Sequence, residues 1–181
     1  MKVLIVSADQ FEDSELLVPY YRMREEGIAV DIASGARGKI RGKHGYEVEA
    51  NLAITEVHPQ QYAALVLPGG KAPERLRGER AVQEIVQHFF HAGKPVSAIC
   101  HGPQILASAG VLTGRTATCY QAVADELRRA GARYLDAEVV VDGNLVTSRK
   151  PSDLPVFLRE TMKQLRGARA ASDTGAYDLA L

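Results

Sequence analysis

Short apolar segments that alternate with helical patterns constrain the fold of this chain more than any other feature of its sequence. Four such segments in the first half have the length and the near-continuous hydrophobicity of strands that are buried on both faces. They cover residues 2–8, 28–34, 63–67 and 95–99. Between them, apolar side chains recur at helical spacing, most clearly over residues 79–92. The alternation predicts an α/β fold with a mostly parallel sheet that carries helices on both faces.

The second half of the chain continues this alternation and then changes to a hairpin. Residues 116–120 are predicted as a strand and residues 122–130 as a helix. Two β-branched runs then flank residues 142–144 (DGN), and this turn sequence predicts an antiparallel hairpin. In parallel sheets of this kind ligands bind outside the carboxyl ends of the strands. Reactive side chains that directly follow strands are therefore the candidates for a functional site.

The length of the chain, and the position at which its alternation of strands and helices ends, indicate one domain. A chain of 181 residues can bury a core without disulfides or structural metals. The last amphipathic helix is predicted to end at Gly167, because glycine commonly closes helices. We therefore predict a domain over residues 1–167. Residues 168–181 are small and weakly patterned, and they are predicted to form a flexible C-terminal tail.

Charge, hydropathy and cysteine content argue against several classes of partner and compartment. The 22 Lys+Arg and 22 Asp+Glu residues leave no net charge, which argues against nucleic acid or an anionic membrane as the main partner. No apolar run approaches the roughly 20 residues that cross a bilayer. Asp9 interrupts the first apolar run too early for a signal peptide. The two cysteines form no disulfide framework, which fits a reducing, cytoplasmic compartment.

Cys100 is the main candidate for a reactive side chain because it lies between a predicted strand and a predicted helix. Ala98 and Gly102, two residues away on either side, are small, as a sharp strand-to-helix turn around a nucleophile requires. The helix N-terminus adds positive potential, which favours a thiolate. The alternative is a buried structural cysteine at a strand end, and the turn pattern favours the functional interpretation. Cys119 has no activating neighbour and is interpreted as a small apolar filler of the core.

Glycines and acidic residues follow two other predicted strands at the same sheet edge. Gly69 and Gly70 are either a plain turn or, with the N–H group after Cys100, an oxyanion hole. Glu12 either holds the thiol through a hydrogen bond or is a solvated acid at a helix start. Glu74 lies just past the diglycine, where an acid either orients a histidine base or begins a helix after a proline.

Histidine is the candidate base at this edge. His101 directly follows Cys100, and because adjacent side chains usually point apart, spacing alone leaves a Cys–His pair open but strained. His44 lies in the basic stretch of residues 37–44, which is predicted to be an exposed turn rather than a binding patch. His88 and His91 are spaced i, i+3 on the polar face of the 79–92 helix, but without an HExxH motif or a Cys or Asp partner at ligand spacing they are interpreted as solvated surface rather than a metal site. The phosphate-binding glycine motifs are missing. We therefore expect no metal and no cofactor.

Five segments together give the chain a resemblance to the PfpI family of intracellular cysteine proteases. They are residues 9–13 (DQFED), 67–70 (LPGG), 72–74 (APE), 98–103 (AICHGP) and 148–154 (SRKPSDL). The resemblance covers about residues 1–166. The same superfamily contains the Parkinson-associated deglycase and the class I glutamine amidotransferases. The amidotransferases place a catalytic histidine late in the chain, and since no histidine follows His101 that triad is excluded.

The resemblance implies a flavodoxin-like three-layer sandwich and assigns roles around the thiol. Cys100 becomes the nucleophile and His101 its partner. Glu74 would orient His101 across an interface, from a neighbouring subunit, which implies a homo-oligomer (a dimer or a hexamer). Glu12 would sit against the Cys100 sulfur.

The resemblance also assigns the groups that surround the reacting carbonyl. The backbone N–H groups of Gly70 and His101 would form the oxyanion hole. Gly69 and Tyr120 would line the site.

The residues leave functions of different classes open. The first is a cysteine-dependent hydrolase of the stress response. It would act as a peptidase, as a glyoxalase or deglycase on methylglyoxal and its adducts, or as both. A small buried turn suits short aldehydes better than a folded polypeptide. The second is a redox sensor or holdase chaperone with an oxidisable Cys100, and a non-catalytic interaction module is the third. His101 and Glu74 together favour the enzyme, because a sensor has no use for an acid that orients a histidine.

Overall fold

Within residues 1–175 the fold contains eleven strands, which form one large and two small sheets. The computed structural model describes the backbone of residues 1–175 and the side chains of residues 1–170. The strands are β1 (Lys2–Val6), β2 (Ala29–Ser34), β3 (Gly38–Arg41), β4 (Glu47–Ala50), β5 (Leu52–Ala53), β6 (Ala64–Leu67), β7 (Val96–Ile99), β8 (Thr116–Ala117), β9 (Arg133–Tyr134), β10 (Val139–Asp142) and β11 (Leu145–Ser148). The main sheet has the order β10-β11-β7-β6-β1-β2-β5. All its neighbours are parallel except β10, which is antiparallel to β11.

Helices cover both faces of the main sheet. They are α1 (Asp13–Glu25), α2 (Ala72–Leu76), α3 (Arg80–His91), α4 (Pro103–Ser108), α5 (Ala124–Arg129) and α6 (Leu154–Gly175). No helix of the described residues is long and apolar enough to cross a membrane. Alternate residues of β1 serve opposite faces, since Leu4 packs with α3 and α4 while Ile5 packs with α1 and α6. The central strands are mostly apolar for this reason, with Ser97 as a buried polar exception, and the predicted three-layer α/β sandwich is confirmed.

The basic stretch at residues 37–44 is not the exposed turn that the sequence predicts. Its first part is β3, which pairs with β4 in an antiparallel hairpin. Ile40 and Ala50 are buried by this hairpin, whereas the charged side chains between them face solvent. Because only one face is buried, the apolar positions are few and the lysines and arginines dominate the sequence. The rest of the stretch forms the turn of the hairpin.

The second half of the chain confirms one predicted feature and corrects another. The hairpin of β10 and β11 turns at Gly143 and Asn144, with Asp142 opposite Leu145. The strand predicted over residues 116–120 is only Thr116–Ala117, and it pairs with β9 in a separate parallel sheet. Its backbone is diverted after Ala117, where the Tyr120 N–H donates to the Cys100 carbonyl. This diversion brings the segment to the edge of the main sheet.

The prediction that the last helix ends at Gly167 is wrong, because α6 continues to Gly175. The first part of the predicted flexible tail is therefore helical, and residues 176–181 lie outside the described residues. A glycine inside a helix costs about 1 kcal/mol of stability relative to alanine. The good helix formers on both sides of Gly167 offset this cost. The backbone of Gly167 does not have the positive φ of a helix-ending glycine.

Replacement of Gly167 by alanine tests this continuation of the helix. Nothing lies within 4 Å of a Cβ built at Gly167, so Gly167→Ala should raise the free energy of unfolding by about 0.5–1 kcal/mol in urea denaturation. Gly93 is the matched control, because it follows α3 with φ +64° and equally open space. Gly93→Ala should lower stability by roughly 1 kcal/mol. Destabilisation of both variants would mean that Gly167 ends the helix after all.

Candidate active site

The carboxyl ends of three adjacent strands bring the predicted site residues together. Cys100 follows β7, Gly70 follows β6, and Glu12 follows β1 at the start of α1. An isolated antiparallel bridge between Phe11 and Gly70 ties the loop after β1 to the loop after β6. A cavity of about 720 Å³ opens at this edge and includes Cys100 in its wall. The site therefore lies where parallel α/β sheets bind their ligands.

Cys100 has a strained backbone that neighbouring strands hold in place. Its φ is +62°, in the left-handed region that side chains other than glycine rarely adopt. Its N–H donates to the Ser148 carbonyl of β11 at 3.0 Å, and its carbonyl accepts from the Tyr120 N–H at 2.9 Å. Gly102 allows the turn to close, since a Cβ there would collide with the Leu67 carbonyl. This is the conformation of a nucleophile elbow.

Three hydrogen-bonding groups meet at the Cys100 sulfur, two from His101 in the turn and one from Gly70 in the loop after β6. The backbone N–H groups of Gly70 and His101 both bond to Sγ and lower the pKa of the thiol. The His101 Nδ1 atom lies 3.2 Å from Sγ. Adjacent side chains point apart in an extended strand, but the left-handed turn at Cys100 brings the His101 ring back over the sulfur. The pairing that spacing left open is therefore formed.

Glu15 is the acid that contacts the thiol, and the sequence interpretation missed it. Its carboxyl interacts with Cys100 and is fully buried. One carboxyl oxygen accepts the Gly69 N–H at 2.8 Å. The other, Oε1, has no hydrogen-bond partner of good geometry among the described residues. Burial, followed by the negative charge of Glu12, raises the pKa of Glu15 to about 8 against the lowering effect of the Gly69 N–H.

The resemblance implies that Glu12 sits against the Cys100 sulfur; both residues line the same cavity, but no hydrogen bond joins them among the described residues. Its carboxylate lies 2.6 Å from Lys43 Nζ and 3.3 Å from His44 Nε2, both on the turn of the β3–β4 hairpin. Glu12 precedes α1, and Glu15 lies one helical turn further on, where its side chain enters the core beneath Gly69. Both acids follow β1 within a few residues of each other, so the sequence places them at the same edge of the sheet. Only the direction of α1 shows which of them reaches Cys100.

The ionisation of the thiol depends on the protonation of Glu15. Burial raises the pKa of Cys100 to about 12, and the negative charge of an ionised Glu15 adds to this shift. At neutral pH Glu15 holds a proton, so this second contribution is removed. A neutral carboxyl also donates a hydrogen bond to a thiolate, which favours the charged sulfur. Near neutral pH the protonated Glu15 therefore adds no negative charge that would oppose ionisation of the thiol.

His101 has the properties of a base. Burial, followed by the positive charge of Lys43, lowers the pKa of His101, and the negative charge of Glu74 opposes this shift. The imidazole is therefore neutral at neutral pH and can accept the thiol proton. Tyr120 stacks on the His101 ring with centroids 4.9 Å apart and an interplanar angle of 29°. This contact limits the rotation of the ring that would move Nδ1 away from the sulfur.

The other predicted residues take different places. Gly69 packs tightly, since a Cβ there would lie 2.5 Å from Glu15 Oε2 and 2.7 Å from Cys100 Cβ. Glu74 is exposed and lines the cavity, but no hydrogen bond joins it to His101 within the described part of the chain. Cys119 is fully buried and takes part in the hydrophobic core. No group of three or more His, Cys, Asp or Glu residues among those described could hold a metal ion.

The chain belongs to the DJ-1/PfpI family, which it matches over residues 1–164. A deglycase from Pyrococcus abyssi is 57% identical over 166 residues, which are 92% of this chain and 100% of that protein. Deglycase PfpI from Pyrococcus furiosus is 54% identical over the same shares. A solved two-domain structure from Anabaena variabilis, with DJ-1/ThiJ/PfpI-like and ferritin-like domains, matches with a TM-score of 0.89 at 37% identity, covering 91% of this chain and 48% of that one. The resemblance predicted from the five segments is confirmed.

Removal of the Glu15 carboxyl tests its protonation. Because its folded pKa of about 8 is above its ordinary value, the folded protein keeps a proton that the unfolded chain loses above about pH 5. The contribution of protonated Glu15 to the free energy of unfolding is fully present below about pH 5 and is lost as pH rises to about 8. Between these limits, wild type should lose about 1.4 kcal/mol of unfolding free energy per pH unit relative to Glu15→Gln in urea titrations.

The control for this measurement is another glutamate of the same helix. Glu25 is exposed on α1, and Glu25→Gln should keep the wild-type dependence of stability on pH. Parallel stability curves for wild type and Glu15→Gln would show that Glu15 is ionised in the folded protein.

Proposed function

We propose that this protein is a cysteine-dependent deglycase that converts methylglyoxal adducts of thiols and amines into lactate and the free thiol or amine. The observation that carries the proposal is the surrounding of the Cys100 sulfur. Two backbone N–H groups, a protonated carboxyl and a neutral imidazole converge on it. Relatives named deglycases share more than half of its sequence over their whole length, which supports the same chemistry here.

The reaction begins with the adduct bound in the cavity. For a thiol adduct, the carbon–sulfur bond breaks as the hydroxyl proton passes to the leaving sulfur, which frees the thiol and leaves methylglyoxal beside Cys100. His101 takes the proton of the Cys100 thiol, and the thiolate adds to the aldehyde carbon. The N–H groups of Gly70 and His101 stabilise the alkoxide that forms until His101 returns the proton to it.

The second stage is an internal redox step. His101 moves the proton of the former aldehyde carbon to the ketone carbon through an enediol. The first carbon is thereby oxidised to a lactoyl thioester, while the second is reduced to an alcohol. Water then cleaves the thioester, which releases lactate and restores the Cys100 thiol. One methylglyoxal and one water give one lactic acid, so no external oxidant or reductant takes part.

Substitution of each cysteine tests the nucleophile. Cys100→Ala should lower lactate formation from methylglyoxal and from its N-acetylcysteine adduct by roughly 10³-fold or more, because the attacking atom is lost. Cys119→Ala is the matched control, since Cys119 is fully buried in the core and should leave the activity within about twofold of wild type when the protein is folded. Lactate is measured enzymatically.

Two other outcomes would replace the proposal. Equal, negligible lactate formation by wild type and Cys100→Ala would overturn the deglycase. Cys100-dependent cleavage of short peptides would then identify the peptidase instead. Oxidation of Cys100 by peroxide, without turnover of either substrate class, would identify the redox sensor.

Glu74 completes the proposed base from a neighbouring subunit. It lines the cavity of its own chain without a hydrogen bond to His101 among the described residues, although its charge influences the ring. In a two-fold symmetric homo-oligomer, an exposed acid at the rim of one site can reach the corresponding site of the partner. An acid in hydrogen-bond contact would fix the tautomer of His101 and stabilise the imidazolium that forms during catalysis.

Coexpression of two inactive variants tests this arrangement. Glu74→Gln and Cys100→Ala should each be impaired alone. If Glu74 acts across the interface, mixed oligomers contain a site with both intact residues, and activity should return to about one quarter of wild type for random assortment into dimers. No recovery in mixed oligomers, with their formation confirmed by two affinity tags, would place Glu74 in the site of its own chain.

A further inference from the structure

The active-site cavity carries more positive than negative charge, although the whole chain has none in excess. Its wall contains three lysines and two glutamates. Lys43 and Glu12 compensate each other through their 2.6 Å ion pair. The side chains of Lys71 and Lys150 form no ion pair or hydrogen bond with the described residues, and both are exposed. Glu74 is the one acid left to balance them, so the surplus remains.

The two unpaired lysines come from the strands on either side of the nucleophile. Lys71 directly follows Gly70 after β6, and its backbone N–H is held by the Gln10 carbonyl. Lys150 lies two residues beyond Ser148, the last residue of β11 and the residue that anchors the Cys100 backbone. Because β7 lies between β6 and β11, the lysines flank Cys100. Their backbones are attached to the same rigid edge as the reacting sulfur.

An excess of one charge in a concave site concentrates ligands of the opposite charge. Low-dielectric walls focus the field of such side chains, and unpaired lysines keep their full charge available for a ligand. A cavity of about 720 Å³ has the size of small-molecule sites. The neutral aldehyde itself gains nothing from these lysines, since it carries no charge. In the bound substrate, before any bond forms, their effect therefore falls on the part of an adduct that is not the aldehyde, and it is this part that distinguishes one adduct from another.

We propose that the cavity selects small adducts whose thiol or amine portion carries a carboxylate, and that Lys71 and Lys150 are the specificity-determining residues. This inference rests on the proposed deglycase function and names its substrate class. The adduct places its reacting carbon beside Cys100, and its carboxylate lies toward the lysines. Adducts of free amino acids and short peptides have this form, whereas an adduct on an uncharged thiol does not.

Two substrates with the same reacting atoms test the proposal. The methylglyoxal adduct of N-acetylcysteine carries a carboxylate, and that of N-acetylcysteine amide is neutral. Wild type should have a kcat/KM several-fold higher for the charged adduct, with each lysine contributing about threefold, as solvent-exposed ion pairs do. The preference should decline as salt is raised, because these lysines are exposed to solvent.

Lysine substitutions assign the preference to residues. Lys71→Gln and Lys150→Gln should each lower the ratio of the two kcat/KM values about threefold, and the double variant should bring it near one. Lys163→Gln is the matched control, because Lys163 lies on α6 away from the cavity and should keep the wild-type ratio. The ratio is the relevant readout, since a general loss of folding or activity lowers both values together.

The outcomes separate this inference from the function on which it rests. Equal kcat/KM values for the two adducts in wild type, with lactate formed from both, would overturn the selection of carboxylates and leave the deglycase intact. A wild-type preference that survives in the double variant would overturn the role of Lys71 and Lys150. Failure of wild type to consume either adduct would overturn the deglycase and this inference together.

Discussion

The left-handed backbone of Cys100 is the constraint on which the rest of the site depends. A side chain with φ +62° persists only where its surroundings hold it, and here β11 and the segment before α5 bind its N–H and its carbonyl. The close approach around the turn needs glycine at 69 and 102. Because of this conformation, the Cys100 sulfur, the His101 N–H and the His101 ring all lie on the same side of the turn. The strain and the chemistry have the same origin.

The placement of one proton follows from this geometry. Glu15 enters the core below Gly69, where water cannot stabilise its charge, and it therefore remains protonated near neutral pH. His101 is neutral for a related reason, since burial and Lys43 both disfavour its cation. A protonated acid and an unprotonated base thus surround one thiol. The hairpin turn contributes to this balance through Lys43, although it lies outside the main sheet.

Much of this architecture could be predicted from the chain because its signals are local. Continuous apolar runs mark strands buried on both faces, and small residues around Cys100 mark the turn that follows one of them. The errors arose where distant contacts decide the outcome. Glu12 and Glu15 are equivalent by position, and the direction of α1 separates them. The basic stretch became a hairpin because Ile40 and Ala50 are buried against the rest of the fold.

The sequence by itself determined the α/β class, the strand that precedes Cys100 and the glycines that the turn requires. These depend on residue size and on periodicity along a few neighbouring positions. Only the tertiary structure decided which acid faces the sulfur, how the adjacent histidine returns to it and which lysines flank it. Such relations join side chains from α1 and from the segments that follow β6, β7 and β11. They depend on the order of strands in space, which no local pattern records.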